Sequence, residues 1–160
     1  MTVVMDREAL TAFLHSDFGQ VAADFVVERA DAAGVTLRLP VAERHLRPGG
    51  TVSGPSIFAL ADVALYLAIL SRIGPVALAV TTNCAVDFMR KPAAGRDLLG
   101  EARVLKLGRT LAVGDVMVFS EGAPEPVARV SVALRVRVPP GERGEKSGDA
   151  AGKGRGFGGR

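Results

Sequence analysis

The sequence predicts an α+β fold in which one long central helix is wrapped by a curved antiparallel sheet of about six strands, as a dimer. Three observations predict it. The run from Ser56 to Ile73 (SIFALADVALYLAILSRI) is apolar on every face and carries one charge, Asp62, before Arg72; a helix apolar all round is a buried helix. Alternating, β-branched segments follow it, joined by links too short for crossover helices, which makes them antiparallel. One chain of this size can lay such a sheet over only one side of the helix, so a second copy is expected to cover the other.

Taken in order, Asp6 to His15 (DREALTAFLH) places Leu10, Phe13 and Leu14 at helical spacing with acids in the first turn, a short amphipathic lead helix. Val21 to Glu28 alternates loosely and Val35 to Leu39 strictly. The turn from Asp31 to Gly34 between them makes the pair a hairpin. Pro40 to Pro48 reads as an irregular connection into the glycine stretch GGTVSGP and the central helix. Gly74-Pro75 stops that helix, since Pro cannot continue it. Strands are then expected at Val76 to Met89, Leu98 to Leu107, Leu111 to Ser120 and Val127 to Val138. The last sets Ala128, Val130, Val132, Leu134, Val136 and Val138 on one face, and Pro139-Pro140 ends it.

Composition narrows the function. The chain has 160 residues, one domain by size, with 48% hydrophobic residues and a mean hydropathy of +0.26. The domain spans residues 1–140. Residues 141–160 form a tail with eight glycines, one aromatic residue and no periodicity, which reads as disordered. That tail carries +2 of the net charge of +3, so the body is near neutral and nucleic acid is not an expected partner. One cysteine, Cys84, precludes an internal disulfide and argues against a metal cluster. The central helix is long enough for a membrane, but a charge at its middle is costly there and no second such segment exists, so no membrane partner is expected. The first residues lack the basic start of a signal peptide, and cytoplasmic residence is the expectation.

The stretches HLRPGGTVSGPSIFALADVAL, AVTTNCAVDFMRKP and GEARVLKLGRTLAVGDVMV together resemble the hotdog-fold acyl-CoA thioesterases of the phenylacetate-type (PaaI-like) family, over about residues 20 to 138. The resemblance implies a helix wrapped by an antiparallel sheet, dimers that often join into tetramers, and hydrolysis of an acyl-CoA to free acid and CoA with no metal or other cofactor. It implies roles as well. Gly54 offers its backbone N–H to the thioester carbonyl. Asp62 acts as general base or nucleophile, and Thr81 positions the water. Arg90, Lys91, Lys106 and Arg109 are candidates for the CoA phosphates and pantetheine arm. The common pattern Asn-x-x-Gly-Thr-x-His-Gly reads here from Arg47 to Gly54, with Arg47 for the Asn and Ser53 for the His. Arg47 and Ser53 join the substrate-binding set, Arg47 toward a phosphate or an acyl carboxylate and Ser53 also as helix N-cap. The alternative function is an acyl-CoA- or ligand-binding hotdog protein with little turnover.

The chemistry fits these residues. A helix N-terminus supplies unpaired N–H groups where charge develops on a carbonyl oxygen, and Pro55 suits the first turn. Gly54 and Asp62 are eight residues apart on one helix, about 12 Å at 1.5 Å per residue, and cannot both reach one carbon. Antiparallel helices from two subunits can bring Gly54 of one beside Asp62 of the other. The two histidines, His15 and His45, fall in the lead helix and a loop, so no Ser-His-Asp triad is expected.

Overall fold

A computed structural model describes residues 2–75 and 78–137; the 141–160 tail and Val138 lie outside that range. Helix α1 (Arg7–Asp17) is followed by a single turn, α2 (Gly19–Ala22), and the hairpin β1 (Val26–Asp31) and β2 (Gly34–Leu39). A 3-10 turn at Glu43–His45 leads to the long helix α3 (Gly54–Ile73). Strands β3 (Leu78–Phe88), β4 (Leu98–Leu107), β5 (Leu111–Ser120) and β6 (Pro126–Arg137) complete the chain.

The six strands form one sheet in the order β1-β2-β4-β5-β6-β3, every neighbouring pair antiparallel. The final four strands are therefore antiparallel as expected, although β3 and β4, consecutive in sequence, are not neighbours. The first hairpin inserts against β4, and β3 is carried to the far edge, where it pairs with β6 from Leu78↔Arg137 to Phe88↔Ala128. Residues 89–97 make the crossing.

Helix α3 lies across the concave face of this sheet. Leu60, Leu65, Leu67, Ile69 and Leu70 are fully buried, and each such side chain contributes about 1.5–3 kcal/mol by leaving water. Close approach is allowed by a missing side chain: a Cβ on Gly114 would overlap Leu65 Cδ1 and crowd the Arg103 carbonyl. Ser53 caps the helix by accepting from the Ser56 N–H (3.4 Å). At the other end the Gly74 N–H donates to Leu70 at 2.8 Å, with φ +87° at that glycine. Alone among the described helices, α3 is long and apolar enough to cross a bilayer, yet most of it is buried inside this fold.

The structure moves several boundaries, among them the end of β1 from Glu28 to Asp31, the end of β3 from Met89 to Phe88 and the start of β6 from Val127 to Pro126. Strand β1 begins at Val26, not Val21, because Phe18, Val21, Ala22 and Phe25 fall at helical spacing and pack inward as the α2 turn and its exit. Helix α3 begins two residues earlier than the apolar run, at Gly54, since its cap is Ser53. The lead helix runs two residues past His15, to Asp17.

Candidate active site

Not every face of α3 is covered. Pro55, Phe58, Ala59, Asp62 and Tyr66 recur at intervals of three and four residues, and all are partly or fully exposed, Phe58 at 40%. This stripe, apolar but for Asp62 and the phenol of Tyr66, is the face for which the sequence demands a second cover. Beside it runs the free edge of β3.

Strand β3 reaches Asp62 through a bulge. The β3–β6 register shifts between Thr81 and Asn83, leaving Thr82 as the extra residue with its hydroxyl on the Ala133 carbonyl (3.2 Å). A bulge re-aims the side chains on either side of it. Thr81 points to the helix before it, and Cys84 and Val86 turn inward after it. Thr81 Oγ1 donates to Asp62 Oδ1 at 2.6 Å, a short bond of the kind a charged acceptor makes. The two residues share a cavity of about 230 Å³ with Asp17, Phe18, Val63, Tyr66, Ala79 and Leu134. Burial, with the Asp62 carboxylate nearby, pushes the Cys84 thiol up; burial and Asp17 push the Tyr66 phenol up.

Gly54 faces a different space. A larger cleft of about 730 Å³ opens at the start of α3, lined in part by Arg47, Gly54, Phe88, Arg90 and Lys91. Among the described residues no acceptor takes the Gly54 N–H, and the Phe88 ring lies where a Cβ on Gly54 would meet it at 3.2 Å. The loop that frames this cleft is built tightly. Arg47 and Gly50 close a turn (Gly50 N–H to Arg47 carbonyl, 3.0 Å) with Pro48 second and Gly49 third, at φ +102°, as a type II turn requires. The Arg47 N–H returns to the Thr51 carbonyl at 2.8 Å.

His45 anchors the loop from beneath and was not legible as such. It sits in the expected loop but is buried: its Nδ1 accepts from the Ala42 N–H (2.9 Å), and its Nε2 lies 3.4 Å from Asp24 Oδ1. The Arg44 guanidinium binds the same carboxylate and holds Asp24 below the usual carboxylate range.

Three of the expected cationic residues, Arg47, Arg90 and Lys91, therefore meet at one cleft. Arg90 also pairs with Glu125 at 3.1 Å; among the described residues neither Arg47 nor Lys91 has an ion-pair partner. Lys106 and Arg109 are not brought there. Lys106 lies level with Asn83, three strands away from β3, and Arg109 is in the β4–β5 turn beyond it. At ~4.8 Å per strand and ~3.3 Å per residue, roughly 20 Å separate Lys106 from Phe88. Ser53 spends its hydroxyl on Ser56, donating to Ser56 Oγ at 3.0 Å, and does not line the cleft. Tyr66, Asp17 and Phe18 were missed, though Tyr66 stands one helical turn after Asp62 and so shares its face.

The profile of the thioesterase superfamily matches residues 49–127, which include both cavities' contributions from α3 and β3. Three solved structures show what the chain is similar to. One, from a Silicibacter species and assigned as a thioesterase, is 55% identical with a TM-score of 0.81, over 86% of this chain and 96% of that one. A variant of the phenylacetic acid degradation protein PaaI from Thermus thermophilus is 30% identical (TM-score 0.64, 76% and 100% covered). Zebra fish thioesterase superfamily member 2 is 27% identical (TM-score 0.68, 81% and 94% covered). No curated protein matches the chain.

Proposed function

This chain belongs to the thioesterase superfamily, and we propose that it hydrolyses an acyl-CoA to the free acid and coenzyme A in an active site completed by a second copy. The observation that carries the reading is the Thr81–Asp62 bond on the uncovered face of α3. A carboxylate held by one oxygen, beside a cavity, on the face that lacks a cover, supports a chemical role for Asp62 over a packing one.

In this reading two α3 helices pack antiparallel through their open stripes, so that Gly54 of one protomer stands near Asp62 of its partner. The thioester carbonyl oxygen accepts from the Gly54 N–H, whose helix end favours the developing negative charge. Asp62 removes a proton from water as the water oxygen bonds to the carbonyl carbon; attack by Asp62 itself would pass through an anhydride that water then opens. The C–S bond breaks, and the thiolate takes up the proton held by the carboxyl. Arg47, Arg90 and Lys91 line the cleft on the Gly54 side, where they can meet the phosphates of CoA; Lys106 and Arg109 join only if the partner presents them. No resident cofactor or metal is assigned, and cytoplasmic residence accords with a lone free thiol.

A second reading, an acyl-CoA-binding protein with little turnover, draws on Ser53, whose hydroxyl is occupied by Ser56 and which stands at the histidine position of the family pattern that the sequence resembles. One experiment separates them: release of free thiol from short, medium, long and aryl acyl-CoAs by wild type, Asp62→Ala and Asp62→Asn. Turnover that survives unchanged in both variants sinks the role of Asp62, and binding without release favours the second reading.

A further inference from the structure

The cavity beside Asp62 has an end wall that the proposed chemistry does not use. Tyr66 lies four residues after Asp62, about 6 Å along α3, and its ring is gripped from α1 and from the residue that caps it. Phe13 is 6.1 Å away between centroids, tilted at 52°, and Phe18 is 6.1 Å away and edge-on at 82°. Such pairings fix a ring's orientation. Val63, Ala79, Leu134 and Thr81 also line the cavity, which holds about 230 Å³ and opens toward the uncovered side of α3. An apolar cavity of ~150 Å³ accommodates one benzene ring, whereas sites for drug-sized ligands begin near ~300 Å³. Asp17 closes α1 with a carboxylate at the helix end that disfavours one, and it lines the same cavity as Asp62. An acyl group bearing its own carboxylate would meet two like charges there.

We propose that Tyr66, clamped by Phe13 and Phe18, is the specificity-determining residue of this protein: it walls one side of the cavity beside Asp62 and, with the second copy over the open side, confines the acyl group to a short neutral chain or a single ring. The inference rests on the thioester reading, and it assigns the acyl end of the substrate to the carboxylate-lined cavity and the nucleotide end to the cationic cleft.

The test uses non-hydrolysable S-alkyl-CoA thioethers (ethyl, hexyl, benzyl, dodecyl and 4-carboxybutyl), titrated calorimetrically into wild type, Tyr66→Ala, Phe18→Ala and Ala79→Leu, each checked for an unchanged melting profile. Wild type is expected to prefer hexyl and benzyl over dodecyl and over 4-carboxybutyl. Tyr66→Ala and Phe18→Ala, which open the same end by different routes, should each improve dodecyl relative to hexyl about tenfold, the effect of burying roughly two more methylenes. Ala79→Leu should act oppositely and weaken benzyl. A general loss of structure would lower every affinity together and leave the order intact. The proposal is overturned if all variants keep the wild-type order within about twofold, or if wild type takes dodecyl as tightly as hexyl. Thioethers that bind in the expected order while the matching thioesters are not hydrolysed would defeat the catalytic reading and leave this one standing. Hydrolysis without length discrimination would do the reverse.

Discussion

Thr81 Oγ1 and Asp62 Oδ1 are joined at 2.6 Å across the gap between the edge strand β3 and the open face of α3. The bond engages one of the two carboxylate oxygens. If Asp62 is the base or nucleophile, Asp62→Asn should lower kcat by about 10²–10⁴, the range for a positioned acid–base group. Thr81→Val should lower kcat by about tenfold with KM little changed, since it removes positioning and not the reacting group. Steady-state thiol release gives both numbers; a Thr81→Val enzyme with wild-type kcat would reduce Thr81 to a strand residue.

The division of Gly54 and Asp62 between two cavities on one helix predicts complementation. Gly54→Pro removes the N–H; Ser53 before it is extended at ψ 153°, as a residue preceding Pro prefers, and the first helical turn tolerates Pro, while the Phe88 ring, 3.2 Å from where a Cβ would sit, has to give way. Gly54→Pro and Asp62→Asn should each be inactive alone. Mixed after co-refolding, they should recover about a quarter of wild-type activity, because half of the dimers are mixed and each mixed dimer has one intact site. No recovery, with mixed dimers verified by mass, would place both groups of a site in one protomer.

The tightest approach of helix to sheet also has a measurable consequence. Gly114→Ala places a methyl against Leu65 and the Arg103 carbonyl, and overpacking of this kind costs about 1–3 kcal/mol. Leu65→Ala alone should cost about 2–5 kcal/mol. Because one change vacates what the other fills, the double variant should be more stable than the sum of the two losses. Urea denaturation of the four proteins measures the coupling; strict additivity would mean that Leu65 does not fill the space above Gly114.

How much of this was legible in the chain depended on distance along it. The apolar run from Ser56 to Ile73 announced a buried helix, and the alternation from Val127 to Val138 a strand, because both patterns are local. Helix α2 was lost since Val21 and Ala22 belong to a helical spacing that begins at Phe18, across an apparent break at Gly19. The insertion of the first hairpin beside β4 was invisible because no local pattern encodes which strands pair. At the site, Gly54, Asp62 and Thr81 stood out by motif. Tyr66 did not, because a tyrosine in an apolar run looks like core until the partner rings of Phe13 and Phe18 are in place. His45 was assigned correctly to a loop, but its burial there was not legible, as its partners, Asp24 and the Ala42 N–H, come from either side of the first hairpin.

Two carboxylates predict the acid limb of stability. The Arg44 guanidinium, aided by His45, lowers the pKa of Asp24; Arg29 and the Ala33 N–H lower that of Asp31. Both groups thus bind protons less readily folded than unfolded, where the value is 3.8. Their contribution is present above that value and is lost as pH falls through the lower, folded one. The denaturation midpoint should vary little between about pH 5 and 8 and decline below about pH 4. In Arg44→Ala the decline should be shallower, because Asp24 would titrate nearer its unfolded value. An equally steep decline in that variant would remove the Arg44–Asp24 clamp from the account.

The cationic cleft predicts where on the substrate its charges act. Arg47 and Lys91 have no ion-pair partner among the described residues and line the cleft that opens beside Gly54. Contacts of partly exposed cations with phosphate are screened within a Debye length, about 10 Å at 0.1 M salt. Replacing both residues by Ala should therefore raise KM for a CoA thioester about tenfold at low salt, with kcat nearly unchanged, and the difference from wild type should shrink at 1 M salt. The same acyl group on N-acetylcysteamine, which has the thioester and amide of the pantetheine arm but no phosphate, should be hydrolysed equally by wild type and variant. If the variant loses as much on that truncated thioester, Arg47 and Lys91 serve the loop or the acyl group, and the nucleotide of the substrate must lie elsewhere.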